Sequence, residues 1–386
     1  MIYLDAASTA KYRNVDDIIV DTITTAMKDS WMNPSSLYAS SVKNKINKCR
    51  ENVAKFIGAK ADEIYFTSGA SESNNWCIRG WVDEVWQNIY KTPYIITTPI
   101  EHKSILGLLK NGDLDATVDY CHVDGYGIVD YEYLEEMLVM RCDKPILVSI
   151  CFANNEIGSI QSIRKIADLV HRYNGILHTD ATQALNYIPI DVEALGIDIL
   201  SASAHKISPV LRGIGFLYKR SRVNINPLIY GTQERNLRGG TENTYGIIGL
   251  SKALEYCDVS RESIEELSMK RNYFVDSLKY KFGCKLNGHD IDRLPNNINV
   301  TFPQGITGEN LLYMLDMSGI RISTGSACNS KSIEKSHVLK AIGLSDEDAM
   351  KSVRFTLPYD ITYEEINKVI YEIDKAIKII ELNGDW

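Results

Sequence analysis

The sequence predicts an α/β protein, with a large domain on a mostly parallel seven-stranded sheet and a smaller α+β domain beside it. Three observations predict this. Between about residues 60 and 220, short apolar runs alternate with amphipathic stretches, the pattern of strands joined by crossover helices. After Gly246 the chain turns to long helical stretches with fewer strands between them. Its 386 residues suffice for one large domain and one smaller one.

The elements follow in chain order. Ile2–Asp5 reads as a short strand, expected to pack with the smaller domain. Seven runs read as sheet strands: Ile64–Thr67, Tyr94–Thr98, Thr117–Tyr120, Ile146–Ile150, Ile176–Thr179, Ile199–Ser201 and Ile214–Tyr218. Helical periodicity fills Tyr131–Met140 and Ile163–Tyr173 between them. A long helical stretch from Ile247 to about Phe282 is broken near Val259-Ser260. Strands are then expected at Ile298–Phe302, Ile320–Ser323 and Ser352–Thr356, with a helix from about Gly308 to Ser318. Thr362-Tyr-Glu-Glu365 has the form of a capping box opening a final helix. Residues 15–255 are assigned to the large domain, and 1–14 with 256–386 to the small one.

Composition narrows the function classes. Hydrophobic residues make up 45% and charged residues 24%, values of a chain that buries a core rather than a disordered one. A net charge of −8 argues against a nucleic-acid-binding surface. There is no basic start followed by an apolar run, and no stretch reaches the roughly 18 apolar residues of a membrane span, so a cytoplasmic location without membrane contact is expected. None of the eight cysteines forms a C-x-x-C pair, and no Cys/His cluster has zinc spacing, so neither a metal nor disulfides are expected. Seven cysteines read as small buried apolar residues.

Three segments carry chemistry. Thr67-Ser-Gly-Ala-Ser-Glu72 follows a predicted strand and opens a helix, so the N–H groups of Ala70 and Ser71 and the Ser71 hydroxyl form an anion site. Alone, it also fits an ordinary capped helix. Asp180, in His178-Thr-Asp-Ala-Thr-Gln183, falls at a strand end, where ligands of open α/β sheets bind and where a buried carboxylate needs a cationic partner. Alone, it also fits a helix cap. Lys206, in Ser201-Ala-Ser-Ala-His-Lys206, stands just past a buried strand, where a lysine can lose its proton and bond to a carbonyl. Alone, it also fits a snorkelling surface lysine. A phosphate anchor, an acid and an amine at the ends of one sheet are the three things pyridoxal phosphate (PLP) requires.

At the level of motifs the chain resembles the cysteine desulfurases of the class V aminotransferase group. These are fold-type I PLP enzymes, and the resemblance is to their iron–sulfur-cluster and nitrogen-fixation branch. It runs nearly end to end, through Tyr3-Leu-Asp-Ala-Ala-Ser-Thr9, Asn33-Pro-Ser-Ser36, Glu101-His102 and Ala153-Asn-Asn-Glu-Ile-Gly158. It continues through Ser203–Lys206, Arg238-Gly-Gly-Thr-Glu-Asn243, Ser323-Thr-Gly-Ser-Ala-Cys328, Ser336-His-Val-Leu339 and Val353-Arg354-Phe355. The resemblance implies that Lys206 bonds the cofactor and Asp180 pairs with its ring nitrogen. His102 stacks on the ring and moves protons, while Gln183 and Asn154 lie near the ring hydroxyl. Ala70, Ser71, Ser203 and His205 hold the phosphate. Thr241 reaches the phosphate of a neighbouring subunit, which implies a homodimer. Arg354, helped by Asn154, binds the substrate carboxylate.

Cys328 is the exception among the cysteines. Ser323–Ser336 is small, polar and glycine-containing, and reads as a mobile surface loop. The resemblance implies that Cys328 takes sulfur from L-cysteine as a persulfide, releasing L-alanine, and passes it to an acceptor protein for iron–sulfur cluster assembly or thiolation. His102 is the candidate acceptor for its proton. A selenocysteine lyase or another class V PLP aminotransferase is the nearest alternative, and a non-catalytic sulfur carrier or scaffold the alternative of another class. The chain also departs from the family. Ala and Ser stand in Asp5–Thr9 where Asn and Thr are common, Tyr38 stands for a usual histidine, and Ser71 for a threonine. Lys206 leads into Ile-Ser-Pro-Val-Leu-Arg-Gly213, one residue longer than the usual turn, with Arg212 in place of a lysine.

Overall fold

The computed structural model describes residues 1–303, 305–324 and 336–383. The first strand, β1 (Ile2–Tyr3), precedes the seven strands of the main sheet: β2 (Ile64–Thr67), β3 (Tyr94–Thr97), β4 (Thr117–Tyr120), β5 (Ile146–Ser149), β6 (Ile176–Asp180), β7 (Ile199–Ser203) and β8 (Gly215–Lys219). Their order is β2-β8-β7-β6-β5-β3-β4. The four pairings from β7 to β4 are parallel, and β8 is antiparallel to both of its neighbours. The seven strands and the mostly parallel character are those the sequence predicts, with ends shifted by a residue or two.

Continuous apolar runs make these strands because both sheet faces are covered. Every residue of β3 and β5 is buried. On one face Ile95, Leu147, Ile199 and Leu217 pack with Trp76, Trp81 and Val85 of the helix Ala70–Asn88. On the other, Ile96, Val148, Leu200 and Phe216 join a cluster that continues to Phe274 and Phe355. The helix Ile163–Arg172 lies on this second side. It buries Ile163, Ile166, Ala167 and Val170, the spacing of one helical face.

The reversed β8 positions the site. Thr67 and Ser203 both register against Gly215, so the carboxyl ends of β2 and β7 meet at one edge of the sheet. The segments after both strands, carrying Gly69 and Lys206, therefore emerge side by side. Gly215 allows the approach, since a Cβ there would lie 2.6 Å from the Gly69 Cα.

The rest of the chain adds β9 (Lys285–Leu286), β10 (Asn297–Thr301), β11 (Ile320–Arg321), β12 (Ser323–Thr324) and β13 (Ser352–Thr356). These form an antiparallel sheet of order β12-β13-β10-β9 and a two-stranded pair, β1 with β11. Ile320–Ser323 is thus not one strand. Its first half pairs with the chain start and its second with β13, around the buried Ile322. The final helix opens on its capping box, with Thr362 and Glu365 exchanging hydrogen bonds of 3.1 Å each way. The break near Ser260 falls between the helices Thr244–Leu254 and Arg261–Phe282.

Two early helices have no counterpart in the sequence reading. Asn14–Asp29 and Ser40–Phe56 both pack on Thr244–Leu254. Ser40–Phe56 buries a narrow apolar stripe, Val42, Ile46, Cys49, Val53 and Ala54, with Arg50 beside it, among many charged residues. Arg50 on this helix makes a two-pronged pair with Glu234, both contacts 2.7 Å, and Glu234 also accepts the Phe66 N–H. Glu234, Arg235 and Asn236 all have positive φ, a turn non-glycine residues rarely adopt. The pair ties this turn to β2. Replacing Arg50 with Ala leaves the buried Glu234 uncompensated and should cost about 3–5 kcal/mol. A shift in the urea midpoint of Arg50→Ala checks this, and a cost below about 1 kcal/mol would refute it.

Candidate active site

One cavity of about 460 Å³ opens at the carboxyl ends of the parallel strands. Nine residues singled out from the sequence line it: Ala70, Ser71, His102, Asn154, Asp180, Gln183, Ser203, His205 and Lys206. Thr241 lines a smaller neighbouring cavity with Ser68 and Gly213. Arg354 lines neither of these two cavities. Cys328 lies outside the described residues.

At one end the cavity is a cradle for an anion. The helix Ala70–Asn88 starts after Gly69, whose φ of +147° a side chain would strain and whose added Cβ would come within 3.2 Å of the Ser203 hydroxyl. The first N–H groups of the helix have no partner within it, and its dipole favours negative charge there. His205 pairs with the Thr9 hydroxyl at 2.9 Å. Burial, then the Lys206 charge, lowers its pKa to about 4, so it is neutral at physiological pH.

Asp180 ends β6, 8% exposed. Its carboxylate accepts the Asn74 amide at 2.8 Å and the Thr182 N–H at 2.9 Å. Among the described residues it has no cationic partner. Two neutral N–H donors satisfy part of its hydrogen bonding and bring no positive charge to it.

Lys206 follows β7 in a short helical turn. Its Nζ donates to the carbonyls of Ala7 at 2.6 Å and Ser8 at 2.7 Å. Burial, then the nearby Arg354 charge, lowers its pKa to about 8. Gln183 reaches the same segment, donating to the Ala7 carbonyl at 3.0 Å.

His102 caps the helix Lys103–Asn111. Its Nδ1 accepts the Ser104 N–H at 3.1 Å, so the neutral ring carries its proton on Nε2. Burial lowers its pKa, although the ring is exposed where it lines the cavity. In this tautomer the ring offers an N–H at Nε2. Behind it, burial pushes Glu101 up to about 8, and Thr98 and the Cys151 N–H both donate to one of its oxygens. Asn154 is spent locally: it donates to the Ile100 carbonyl and accepts the Glu156 and Ile157 N–H groups.

Sequence reasoning missed several members. Asn74 anchors Asp180, and its signal is a buried polar side chain in a helix stripe that otherwise packs on the sheet. Ala7 and Ser8 act through carbonyls, which carry no sequence signature. Arg212 lines the cavity. The bland reading of seven cysteines holds for the buried Cys49, Cys77, Cys121, Cys151 and Cys284, but Cys257 is half-buried and Cys142 exposed, each near the end of a helix facing solvent. Among the described residues no helix is long and apolar enough to cross a membrane.

The aminotransferase class-V family model matches residues 2–369. The chain belongs to this family. It is similar to cysteine desulfurase IscS of Dictyoglomus turgidum, 41% identical over 98% of this chain and 94% of the relative. A solved NifS-like protein superposes with a TM-score of 0.87 at 33% identity, covering 98% of this chain and 99% of that one. SspA, solved in complex with cysteine, superposes with a TM-score of 0.78 at 33% identity over 93% and 99%. The fold is therefore that of the NifS-like enzymes, an α/β fold of type I.

The residues present fit the PLP that the family implies. The cradle supplies donors for a phosphate, Asp180 a buried carboxyl group with no cationic partner among the described residues, and Lys206 an amine whose pKa is lowered to about 8. Thr182 adds a buried hydroxyl with no partner on the cavity wall. Because the pKa of Lys206 is lowered, its reactive neutral form appears at lower pH than for an ordinary lysine. In cofactor-free protein, borohydride trapping of added PLP should label Lys206, with an initial rate that rises through about pH 8. A rate that climbs only near the ordinary lysine value of about 10.4 would refute the perturbed amine.

Proposed function

We propose that the chain is a PLP-dependent cysteine desulfurase, converting L-cysteine to L-alanine and passing the sulfur to an acceptor protein through a persulfide on Cys328. The observation that carries this reading is the convergence of Lys206, Asp180 and the anion cradle on one cavity, in a chain 41% identical to a curated cysteine desulfurase.

Ala70, Ser71, Ser203 and His205 would hold the cofactor phosphate, Asp180 its ring nitrogen and Lys206 its carbonyl carbon, with His102 against the ring and Gln183 and Asn154 near the ring hydroxyl. Thr241 would serve the site of a second copy, making the working unit a homodimer. When bound, PLP supplies an electron sink that lets an amino acid lose its α-proton and loosens the bond to its β-sulfur. Lys206, with its pKa near 8, can take the α-proton at physiological pH and return it. His102 holds a proton on Nε2 and is suited to donate one as alanine forms. Arg354 would bind the substrate carboxylate. Cys328 attacks the substrate sulfur as a thiolate; an S–S bond forms, the Cβ–S bond breaks, and a proton completes alanine. A cytoplasmic location belongs to the same reading.

The test is the Cys328→Ala variant with L-cysteine. Alanine formation should fall by at least about 100-fold while the cofactor's visible absorbance is unchanged, since the nucleophile is removed and the cofactor site is not. Mass spectrometry of the wild type should find one added sulfur on Cys328. Full alanine release by the variant would sink the persulfide route.

A further inference from the structure

Arg354 is not free to meet a substrate. It lies on β13, 7% exposed, and is not among the residues lining the cavity. Its Nη2 donates to Asp5 Oδ1 at 2.7 Å and to the Ser8 hydroxyl at 3.1 Å. Its Nη1 donates to the carbonyl of Asn155, itself a cavity-lining residue, at 3.1 Å. Its Nε is buried without a partner. Thus one carboxylate oxygen already sits on the guanidinium fork, supplied by the segment whose next carbonyls hold Lys206.

We propose that Asp5 stands in for the substrate's α-carboxylate on Arg354, a positioning residue that an amino acid must replace in order to bind. The proposal rests on the reading of the chain as a cysteine desulfurase. The physical case is charge balance. Withdrawing Asp5 alone would leave a buried cation uncompensated, which is strongly unfavourable. Exchanging one carboxylate for another keeps the balance, so the fork opens only to a ligand that brings its own carboxylate. A two-pronged partner also outcompetes a single-oxygen contact. The cost is affinity: a ligand that must first displace an internal competitor binds more weakly by the fraction of open sites. The pair thus selects amino acids over amines without a carboxylate, while Arg354 stays neutralised when no substrate is present.

The experiment uses PLP-loaded enzyme and L-alanine, which binds without desulfuration, read by the change in visible absorbance. Asp5→Asn keeps the shape and removes the charge, so the alanine dissociation constant should fall about five-fold or more, and KM for L-cysteine with it. Asp5→Glu should stay near the wild type. The gain should vanish in the double variant Asp5→Asn with Arg354→Gln. Unchanged or weaker alanine binding in folded Asp5→Asn would overturn the proposal. So would an Arg212→Gln variant that loses alanine binding while Asp5→Asn leaves it unaltered, because Arg212 would then be the receptor. Should Asp5→Asn not fold, Ser8→Ala removes the other Nη2 contact and should tighten alanine binding about two-fold, and no change there counts against the idea equally. Wild-type turnover of L-cysteine is measured alongside. Its absence would defeat the desulfurase reading, whereas alanine affinity alone decides the role of Asp5.

Discussion

An ammonium group taken out of water at the end of a sheet needs acceptors, and Lys206 finds them in the carbonyls of Ala7 and Ser8. Neither carbonyl belongs to the main sheet. They arrive because the chain start is fixed elsewhere: β1 pairs with β11, and Asp5 bridges to Thr356 at the end of β13. The environment of the lysine therefore depends on strands more than a hundred residues away in sequence. Neutral carbonyls satisfy the hydrogen bonds but bring no full negative charge. Desolvation then dominates, and the pKa falls to where the amine can exchange a proton near neutral pH.

The other ionisable groups in and behind the cavity wall are sorted by the same balance of burial against donors. Asp180 and Glu101 are both buried carboxyls a short distance apart. Glu101 receives donors on one oxygen only, its second oxygen has no partner, and burial pushes it up to about 8. His205 and His102 are both lowered, chiefly by burial, and neither adds a positive charge at neutral pH. The cavity thus presents neutral imidazoles and an amine whose pKa is lowered to about 8, with a raised carboxyl behind its wall. Groups pushed apart in this way divide the labour of proton transfer.

The main sheet was legible in the sequence because strands covered on both faces are unbroken apolar runs, and Ile146–Ser149 or Tyr94–Thr97 can be little else. The cavity wall was legible because its residues follow those strands directly. The early helices were not: Ser40–Phe56 docks through six buried residues, one of them an arginine, and its charged residues hide that stripe. Asn74 was hidden for another reason. Its partner Asp180 lies 106 residues on, and only the folded sheet shows that an amide within an apolar helix stripe has a carboxylate to meet. Arg354 was legible as a residue but not in its surroundings, since the sequence does not say which carboxylate reaches it first.

The segment after Lys206, which the sequence reading takes as one residue longer than the usual turn, is held from both sides. The register of β8 cannot slip by one residue, because a slip would turn Phe216 and Leu217 to the wrong faces of a sheet packed on both sides. Gly215 is held in place as well, wedged against Gly69 and the Ala202 carbonyl. An additional residue must therefore go into the loop between Lys206 and Gly215. That loop is pinned within: Ile207 and Leu211 are buried, and the Ser208 hydroxyl donates to the buried Asp16. The chain turns back into β8 at Gly213, whose φ is +71°. Arg212 stands there and lines the cavity. The cation that the sequence reading puts here in place of a lysine is thus both exposed and on the cavity wall.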